Sequence, residues 1–255
     1  MKGFKFKMRN QAKIAVALAV LFIFIAFGER KQDVIAVQDI VIKIENLQEN
    51  HFIDEQDVIR LMELDHENLR GAALDRLDLK AIEKRIQSDR FVERAELYSD
   101  TKGNLVVKAM LRRPLARIVR DDGPDAYIAE DGTIMPLSEK FTARVVLLSG
   151  VYTSQFVRLG NLLEHEDGAE LMTILTSIRS DDFWRAQIAQ LDIDLKGRIT
   201  ILPQIGNQTI EFGRAENLDL KLRKLKIFYK EILPQRGWNK YKRVSLEYEG
   251  QIVAE

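Results

Sequence analysis

The stretch AELYSDTKGNLVVKAMLRRPLARI, residues 95–118, decides the fold of the first half of the chain. Apolar side chains alternate with polar ones on both sides of a polar turn at residues 99–104, which is typical of two antiparallel strands. The turn contains Gly103, and Pro114 ends the pattern because proline has no N–H to donate to a neighbouring strand. The sequence therefore predicts a β-hairpin, whose place in the fold depends on what surrounds it.

Strand and helix signals precede the hairpin in a regular order. Residues 34–44 are rich in valine and isoleucine and alternate in polarity, so they predict a strand. Asp54 opens a short helix, with Asp57 three residues later as in a capping box, and Asp78 opens a second helix. Two helices can cover one face of a three-stranded sheet. The order therefore predicts a small β-α-α-β-β domain.

A polar loop, RDDGPD at residues 120–125, predicts a boundary between two folded domains, residues 34–119 and 126–255. The second domain is richer in strand patterns and also contains two helical patterns. We predict a hairpin at 126–137, strands at 143–150, 188–195, 198–203 and 208–213, and helices at 167–179 and 216–233. The final residues, 241–255, predict one strand or two strands kinked at Gly250. The fold class is therefore α+β.

An unbroken apolar run, IAVALAVLFIFIAF at residues 14–27, follows a basic segment near the start of the chain. As a helix, residues 10–28 would rise about 28 Å, close to the thickness of the hydrocarbon core of a bilayer. By the positive-inside rule, the basic tail at residues 1–9 stays in the cytoplasm and the rest of the chain lies outside. The sequence therefore predicts a transmembrane helix at residues 10–28 with type II, single-pass topology.

The same segment also fits a cleaved secretory signal peptide. The lengths of its basic and apolar regions suit such a signal, and AFG at residues 26–28 is an acceptable cleavage site. Cleavage there would leave a mature chain that starts at Glu29. The local sequence leaves the anchor and the signal peptide open as alternatives, and both predict that the folded domains are exported.

The overall charge of the chain is balanced, with 39 basic and 39 acidic residues among 255. Five of the basic residues precede residue 14, so the rest of the chain has an excess of acidic side chains. An acidic body argues against a nucleic-acid-binding surface. The chain has no cysteine, which excludes disulfides, thiolate metal sites and cysteine nucleophiles.

The sequence contains few motifs that are typical of catalytic, metal-binding or cofactor-binding sites. The three histidines are scattered, and EHED at residues 164–167 reads as a solvated helix cap rather than a metal site. Ser149 is not in a nucleophile elbow and has no identifiable acid–base partner, and no phosphate-binding glycine motif is present. We therefore predict no catalytic residue, no metal, no cofactor and no small-molecule substrate.

Several segments together carry a resemblance to a known family. Residues 77–118 resemble the second half of a POTRA domain, and AYIAEDGTIMPLS followed by VVLLSG resembles the start of a second, β domain. FGRAENLDLKLRKLKIFYKEIL and then YKRVSLEYEG resemble the end of that β domain. With a basic tail and an apolar span in front, the whole order is similar to the bacterial cell-division family FtsQ/DivIB.

The resemblance implies a non-catalytic scaffold of the division complex, the divisome. Members of the family keep the N-terminal helix as an anchor, which implies an inner-membrane protein with a cytoplasmic N-terminus and a periplasmic body. The resemblance also implies two single-span partners, an FtsL-like protein and an FtsB/DivIC-like protein, and a part in the control of septal peptidoglycan synthesis.

A partner-binding strand is predicted at residues 243–253, where open backbone groups of an edge strand could pair with a partner strand. The resemblance matches Tyr248 to the tyrosine of the family's partner-binding strand. Position in the strand adds four further residues, Val244, Leu246, Gly250 and Ile252. Alternate side chains of this strand could instead pack into the core. The first domain could also bind peptides along an edge, at the hairpin or at residues 34–44.

Two other functions remain open at this point. The first is a periplasmic POTRA-bearing transport or chaperone protein that is released by signal cleavage. The second is an exported enzyme with a β-rich substrate domain, which would need a deep pocket with clustered acidic side chains.

Overall fold

The computed structural model describes residues 18–22, 36–62, 69–166 and 168–255. The predicted cytoplasmic tail at residues 1–9 lies outside the described residues, and so does the predicted span at residues 10–28 except for the helical residues 18–22. Within the described part of the chain, no helix combines the length and the hydropathy needed to cross a bilayer.

The first domain is a three-stranded sheet with two helices, as the sequence predicted. The strand order is β1-β3-β2, with β1 parallel to β3 and β2 antiparallel to β3. The opening hairpin is the β2–β3 pair. The elements are β1 (Ile40–Ile44), α1 (Glu55–Met62), α2 (Leu79–Gln87), β2 (Val92–Ser99) and β3 (Leu105–Leu111).

Side-chain caps explain where the two helices of the first domain begin. The Asp54 carboxylate accepts a hydrogen bond from the Asp57 N–H, and the Asp57 carboxylate accepts one from the Asp54 N–H. This reciprocal pair satisfies backbone donors that a helix N-terminus leaves open. Asp78 caps α2 in the same way by accepting from the Ala81 N–H. Both caps confirm the predicted helix starts.

Asn46, in the turn that follows β1, forms hydrogen bonds with the last residue of β3. Its side chain donates to the Leu111 carbonyl at 2.7 Å and accepts from the Leu111 N–H at 2.9 Å. Asn46 is only 7% exposed, and Leu111 is fully buried. The amide side chain therefore takes the place of a neighbouring strand at this point.

Replacing Asn46 with alanine is expected to lower the free energy of unfolding by about 2 kcal/mol, because it leaves a buried N–H and a buried C=O of Leu111 without partners. Urea denaturation measures this loss. Asn239→Ala serves as the control, since Asn239 is exposed. An equal, small effect of both substitutions would contradict the role given to Asn46.

The second domain is built on one nine-stranded sheet, with the strand order β12-β11-β10-β9-β8-β7-β4-β5-β6. Its strands are β4 (Pro114–Ile118), β5 (Ala126–Ala129), β6 (Ile134–Pro136), β7 (Val146–Ser149), β8 (Ile188–Ile193), β9 (Ile199–Pro203), β10 (Thr209–Gly213), β11 (Arg243–Ser245) and β12 (Val253–Ala254). Its helices are α3 (Ser154–Leu159), α4 (Gly168–Ser180), α5 (Asp182–Gln187), α6 (Leu218–Ile227) and α7 (Leu233–Arg236). The mixed α+β class is confirmed.

The helices of this domain are more numerous than the two that the sequence predicted. The predicted helix at 216–233 corresponds to α6, a π-helical turn at Phe228–Ile232 and the start of α7. The two short helices α3 and α5 have six residues each. Such a length covers less than two turns, which is too short for helical periodicity to show in the sequence.

The change from one sheet to the other comes earlier in the chain than predicted. Residues 114–118 were assigned to the first domain, but they form β4, which lies between β5 and β7 in the nine-stranded sheet. β3 ends at Leu111, and Pro114 is the first residue of β4, whose partner strands lie in the second domain. The loop at 120–125 is therefore the connection between β4 and β5.

An aromatic cluster joins the two domains. The ring of Phe52 in the first domain stacks on Phe91 at 5.1 Å and contacts Tyr127 and Phe141 of the second domain, each at 5.2 Å between ring centroids. Phe52 is 1% exposed and belongs to a buried cluster that includes Tyr127. Burial of large aromatic surface on both sides stabilises the junction and opposes movement of one domain against the other.

An ion-pair clamp lies beside this cluster. The Lys140 ammonium of the second domain binds the carboxylates of Asp54 and Asp57 at the start of α1. Partial burial alone raises the pKa of Asp57, but hydrogen bonds from Lys140, the Asp54 N–H and Arg60 together lower the pKa of the Asp57 carboxyl to about 2. The clamp therefore stays charged at neutral pH.

The clamp predicts an acid-dependent contribution to stability. A carboxyl with a lowered pKa stabilises the folded state above its unfolded pKa of about 3.9 and loses that contribution as the pH falls through its folded value. Lys140→Met should therefore melt below the unmodified protein at pH 6, and the difference should shrink between about pH 4 and pH 2. Lys80→Met, at an exposed position of α2, is the control for thermal melting curves. A difference that does not depend on pH would contradict the clamp.

Candidate functional site

The last 15 residues fold as a small hairpin at one end of the nine-stranded sheet. β11 pairs with β10 in parallel and with β12 in antiparallel orientation, so β12 is the outermost described strand at this end. A turn at residues 248–250 separates β11 from β12. Gly250 in this turn has a φ of 68°, in the left-handed region that favours glycine. Of the two alternatives for this segment, the structure has two strands.

The register of β12 shows which backbone groups remain open. Arg243 and Glu255 exchange both backbone hydrogen bonds, at 2.9 and 3.2 Å. In an antiparallel pair, residues that exchange hydrogen bonds alternate with residues whose N–H and C=O point away from each other. The next pair is Val244 with Ala254, so the N–H and C=O of Ala254 point to the open side of the sheet. In the described part of the chain, no strand pairs with that side.

The predicted partner-binding residues divide into different environments. Val244 and Leu246 are fully buried in the core of the second domain, so their side chains are closed to a partner in this structure. Tyr248 is 53% exposed at the turn, next to the exposed Gly250. Ile252 is half-buried and packs against the core. The structure therefore leaves Tyr248 exposed in the turn that precedes β12, and it gives Val244 and Leu246 a packing role.

A buried lysine holds this hairpin in place. The Lys224 ammonium of α6 donates to the carbonyls of Leu246 and Tyr248 at 2.7 Å each, and to the carbonyl of Gln251 at 3.4 Å. Lys224 is only 8% exposed. A charged donor to several carbonyls of one turn restricts the turn to a single conformation. Lys224 therefore fixes the position from which Tyr248 reaches solvent.

The predicted helix at 216–233 contains the basic segment KLRKLK, residues 221–226, in which Lys224 was not singled out. The apolar periodicity of the helix does indicate that Lys224 lies near the buried face, because Phe228 follows it by four residues and lies on the same side of the helix. Phe228 is fully buried, so Lys224 lies at the margin of the buried face. The carbonyls that it binds belong to a distant segment, and helical spacing cannot reveal them.

An ion pair joins β10 and β11, the two strands next to β12. The Arg243 guanidinium of β11 binds the Glu211 carboxylate of β10 through two hydrogen bonds, at 2.6 and 2.9 Å. The hydrogen bonds from Arg243 lower the pKa of Glu211, and the same contact raises the pKa of Arg243. The pair is therefore charged at neutral pH, and it supports the parallel register of β10 and β11.

The surface around the turn is acidic and aromatic. Tyr248 stands between Glu247 and Glu249, and all three residues are exposed. The segment that leads into β12 thus has one exposed aromatic ring and two exposed carboxylates, and β12 itself has an unpaired backbone edge. Such an arrangement can pair with an added strand through the backbone and select the strand through the side chains beside it.

The other sites considered in the sequence offer no comparable arrangement. Ser149 donates to the Asp192 carboxylate and accepts from the Gln190 amide. Among the described residues, no group of three or more His, Cys, Asp or Glu side chains is placed to hold a metal ion. Asp167, the last residue of the EHED segment, lies outside the described residues.

Two family models match the chain, and the boundary between them lies between the last strand of the three-stranded sheet, β3, and the first strand of the nine-stranded sheet, β4. A family model described as "FtsQ/DivIB, C-terminal related" matches residues 113–255, which is more than half of the chain. A POTRA-like domain model matches residues 36–110. No curated protein matches the chain.

Proposed function

The chain belongs to the FtsQ/DivIB, C-terminal related family, and from this membership we propose that it is a non-catalytic scaffold of the bacterial cell-division complex. In this proposal the protein acts by binding other division proteins, and it helps to control septal peptidoglycan synthesis through that binding. Domains of this family suggest a role in cell division, and POTRA-like domains are generally scaffolds rather than catalysts.

The observation that carries the proposal is the open edge of β12. Ala254 directs its N–H and C=O away from β11, and no described strand satisfies them. Tyr248 is 53% exposed in the turn that precedes β12. An edge with unpaired backbone groups invites an added strand, and proteins that keep such an edge use it or protect it.

The proposed partners are an FtsB/DivIC-like and an FtsL-like single-span protein. One strand of the FtsB/DivIC-like partner would pair with β12 and place a side chain against Tyr248. In this arrangement Val244 and Leu246 act indirectly, because their burial in the core anchors β11 and so holds β12. Gly250 contributes the left-handed turn, and Ile252 attaches the start of β12 to the core.

We also propose that the protein is anchored in the inner membrane by residues 10–28. The basic residues before the apolar run support a cytoplasmic N-terminus, and the two domains would then lie in the periplasm. A single anchor would keep the scaffold close to the membrane, where single-span partners are concentrated.

Co-purification of the full-length chain with its FtsB/DivIC-like and FtsL-like partners tests this function. Mass spectrometry should show that the purified chain retains its N-terminus, and both partners should co-purify with it. Tyr248→Ala should reduce the yield of the FtsB/DivIC-like partner. Leu137→Ala is the control, because Leu137 is exposed and follows β6, at the opposite end of the nine-stranded sheet. A mature chain that starts at Glu29 and binds neither partner would contradict the proposal.

A further inference from the structure

An open cleft lies in the middle of the nine-stranded sheet, far from the C-terminal edge. It occupies about 460 Å³ beside the starts of β7 and β8 and the last turn of α4. Two neighbouring hollows of about 350 and 540 Å³ share lining residues with it, so the three form one continuous depression. We call this depression the arginine cleft, after four of its lining residues, Arg113, Arg144, Arg179 and Arg185.

Aliphatic side chains form the floor of the arginine cleft. Three of them are buried and three are half-buried at its surface. They are Leu115, Val145, Val146, Leu147, Ile178 and Ile188. A recessed apolar floor with polar groups at the margin is the usual composition of a binding cleft, and volumes of roughly 300–1,000 Å³ are typical of such sites.

The charged residues that line the cleft are mostly positive, four arginines against Glu49 and Glu130. Arg113 pairs with Glu49, and Arg185 pairs with Asp182. For Arg144 and Arg179, no ion pair with a described residue is present, and both side chains are exposed. Two guanidinium groups that form no ion pair with the described residues therefore lie beside an apolar floor. The positive charge of the cleft contrasts with the chain after residue 13, which has more acidic than basic residues.

We propose that the arginine cleft binds an acidic segment of a partner protein that also carries aliphatic side chains. Carboxylates of the segment would bind Arg144 and Arg179, since a guanidinium group can donate two parallel hydrogen bonds to one carboxylate. Its aliphatic side chains would cover the floor and remove apolar surface from water. The concave shape favours a peptide over a membrane, because a flat bilayer surface would reach the exposed guanidinium groups but not the recessed floor.

This surface is separate from the C-terminal edge. Three strands lie between β8, which borders the cleft, and β12. At the usual spacing of neighbouring strands, β8 and β12 are about 19 Å apart. One partner could therefore occupy the cleft while another pairs with β12, and the proposal does not depend on the function proposed above.

The test uses the full-length chain in detergent and a fluorescent peptide in which glutamates alternate with leucines. Fluorescence anisotropy should show saturable binding, and Arg144→Glu combined with Arg179→Glu should weaken it by roughly tenfold or more. The matched control combines Arg76→Glu with Arg223→Glu, which changes the net charge equally at exposed positions outside the cleft. This control should change the affinity by less than about twofold.

Several results would overturn the proposal. They are the absence of saturable binding, an equal loss in the control, or equal binding of a peptide whose leucines are replaced by serines. Short-chain phosphatidylglycerol is a second probe. If it binds through Arg144 and Arg179 while the peptide does not, the cleft is a site for anionic lipid and the proposal fails.

Discussion

Replacing Lys224 with methionine is expected to lower the free energy of unfolding by about 3 kcal/mol, because three carbonyls of the C-terminal turn lose their charged donor. Methionine keeps most of the length and volume of the side chain, so the effect reports the lost hydrogen bonds rather than a cavity. Urea denaturation measures the change. The looser turn should also weaken any partner that contacts Tyr248.

Lys240→Met is the matched control for this prediction. Lys240 lies in an exposed segment after α7, so its replacement should change stability by less than about 0.5 kcal/mol. If Lys224→Met were as mild as the control, the three hydrogen bonds would not hold the turn, and the role of Lys224 as a positioning residue would be wrong.

Replacing Ala254 with proline is expected to weaken binding of the proposed FtsB/DivIC-like partner by roughly 10- to 100-fold, because proline removes the outward N–H and fills the space that an added strand needs. The fold should survive, since the hydrogen bonds that hold β12 belong to Glu255 and not to Ala254. Isothermal titration calorimetry with the purified partner measures the affinity.

Ala254→Gly separates the backbone effect from loss of the side chain. Glycine keeps the N–H, so this variant should bind nearly as well as the unmodified chain. Equal weakening by glycine and proline would mean that the methyl group of Ala254 matters and the open N–H does not. Full binding by the proline variant would exclude strand addition at β12.

The first domain could be predicted from the sequence because its signals are local. The β2–β3 hairpin follows from alternation around one turn, and the helix starts follow from Asp54 and Asp78, whose caps act within three residues. Neither signal needs information from a distant part of the chain. The meander β8-β9-β10 could be predicted for the same reason, since its strands are consecutive and antiparallel.

Pairings between distant strands could not be predicted in this way. β4 pairs in parallel with β7, β7 with β8, and β10 with β11. Parallel neighbours need a long connection, and alternation within one strand does not identify the partner strand. This is why residues 114–118 were assigned to the first domain.

The candidate site shows the same limit at the level of side chains. Tyr248 was proposed through the family resemblance, whereas Val244 and Leu246 were chosen by strand position, which does not reveal that both side chains are buried in the core. Lys224 and the arginine cleft were missed because each depends on contacts between segments that are far apart in the chain. Such contacts become visible only when the fold has placed the segments together.

Amide hydrogen exchange at the C-terminal edge is the most direct test of strand addition. In the free protein the N–H of Glu255 is bonded to Arg243 and should exchange slowly, whereas the outward N–H of Ala254 should exchange fast. Saturation with the FtsB/DivIC-like partner should slow exchange at Ala254 to a rate like that of Glu255. If the Ala254 amide still exchanges fast in the saturated complex, the partner does not pair with β12 and the proposed mode of binding is wrong.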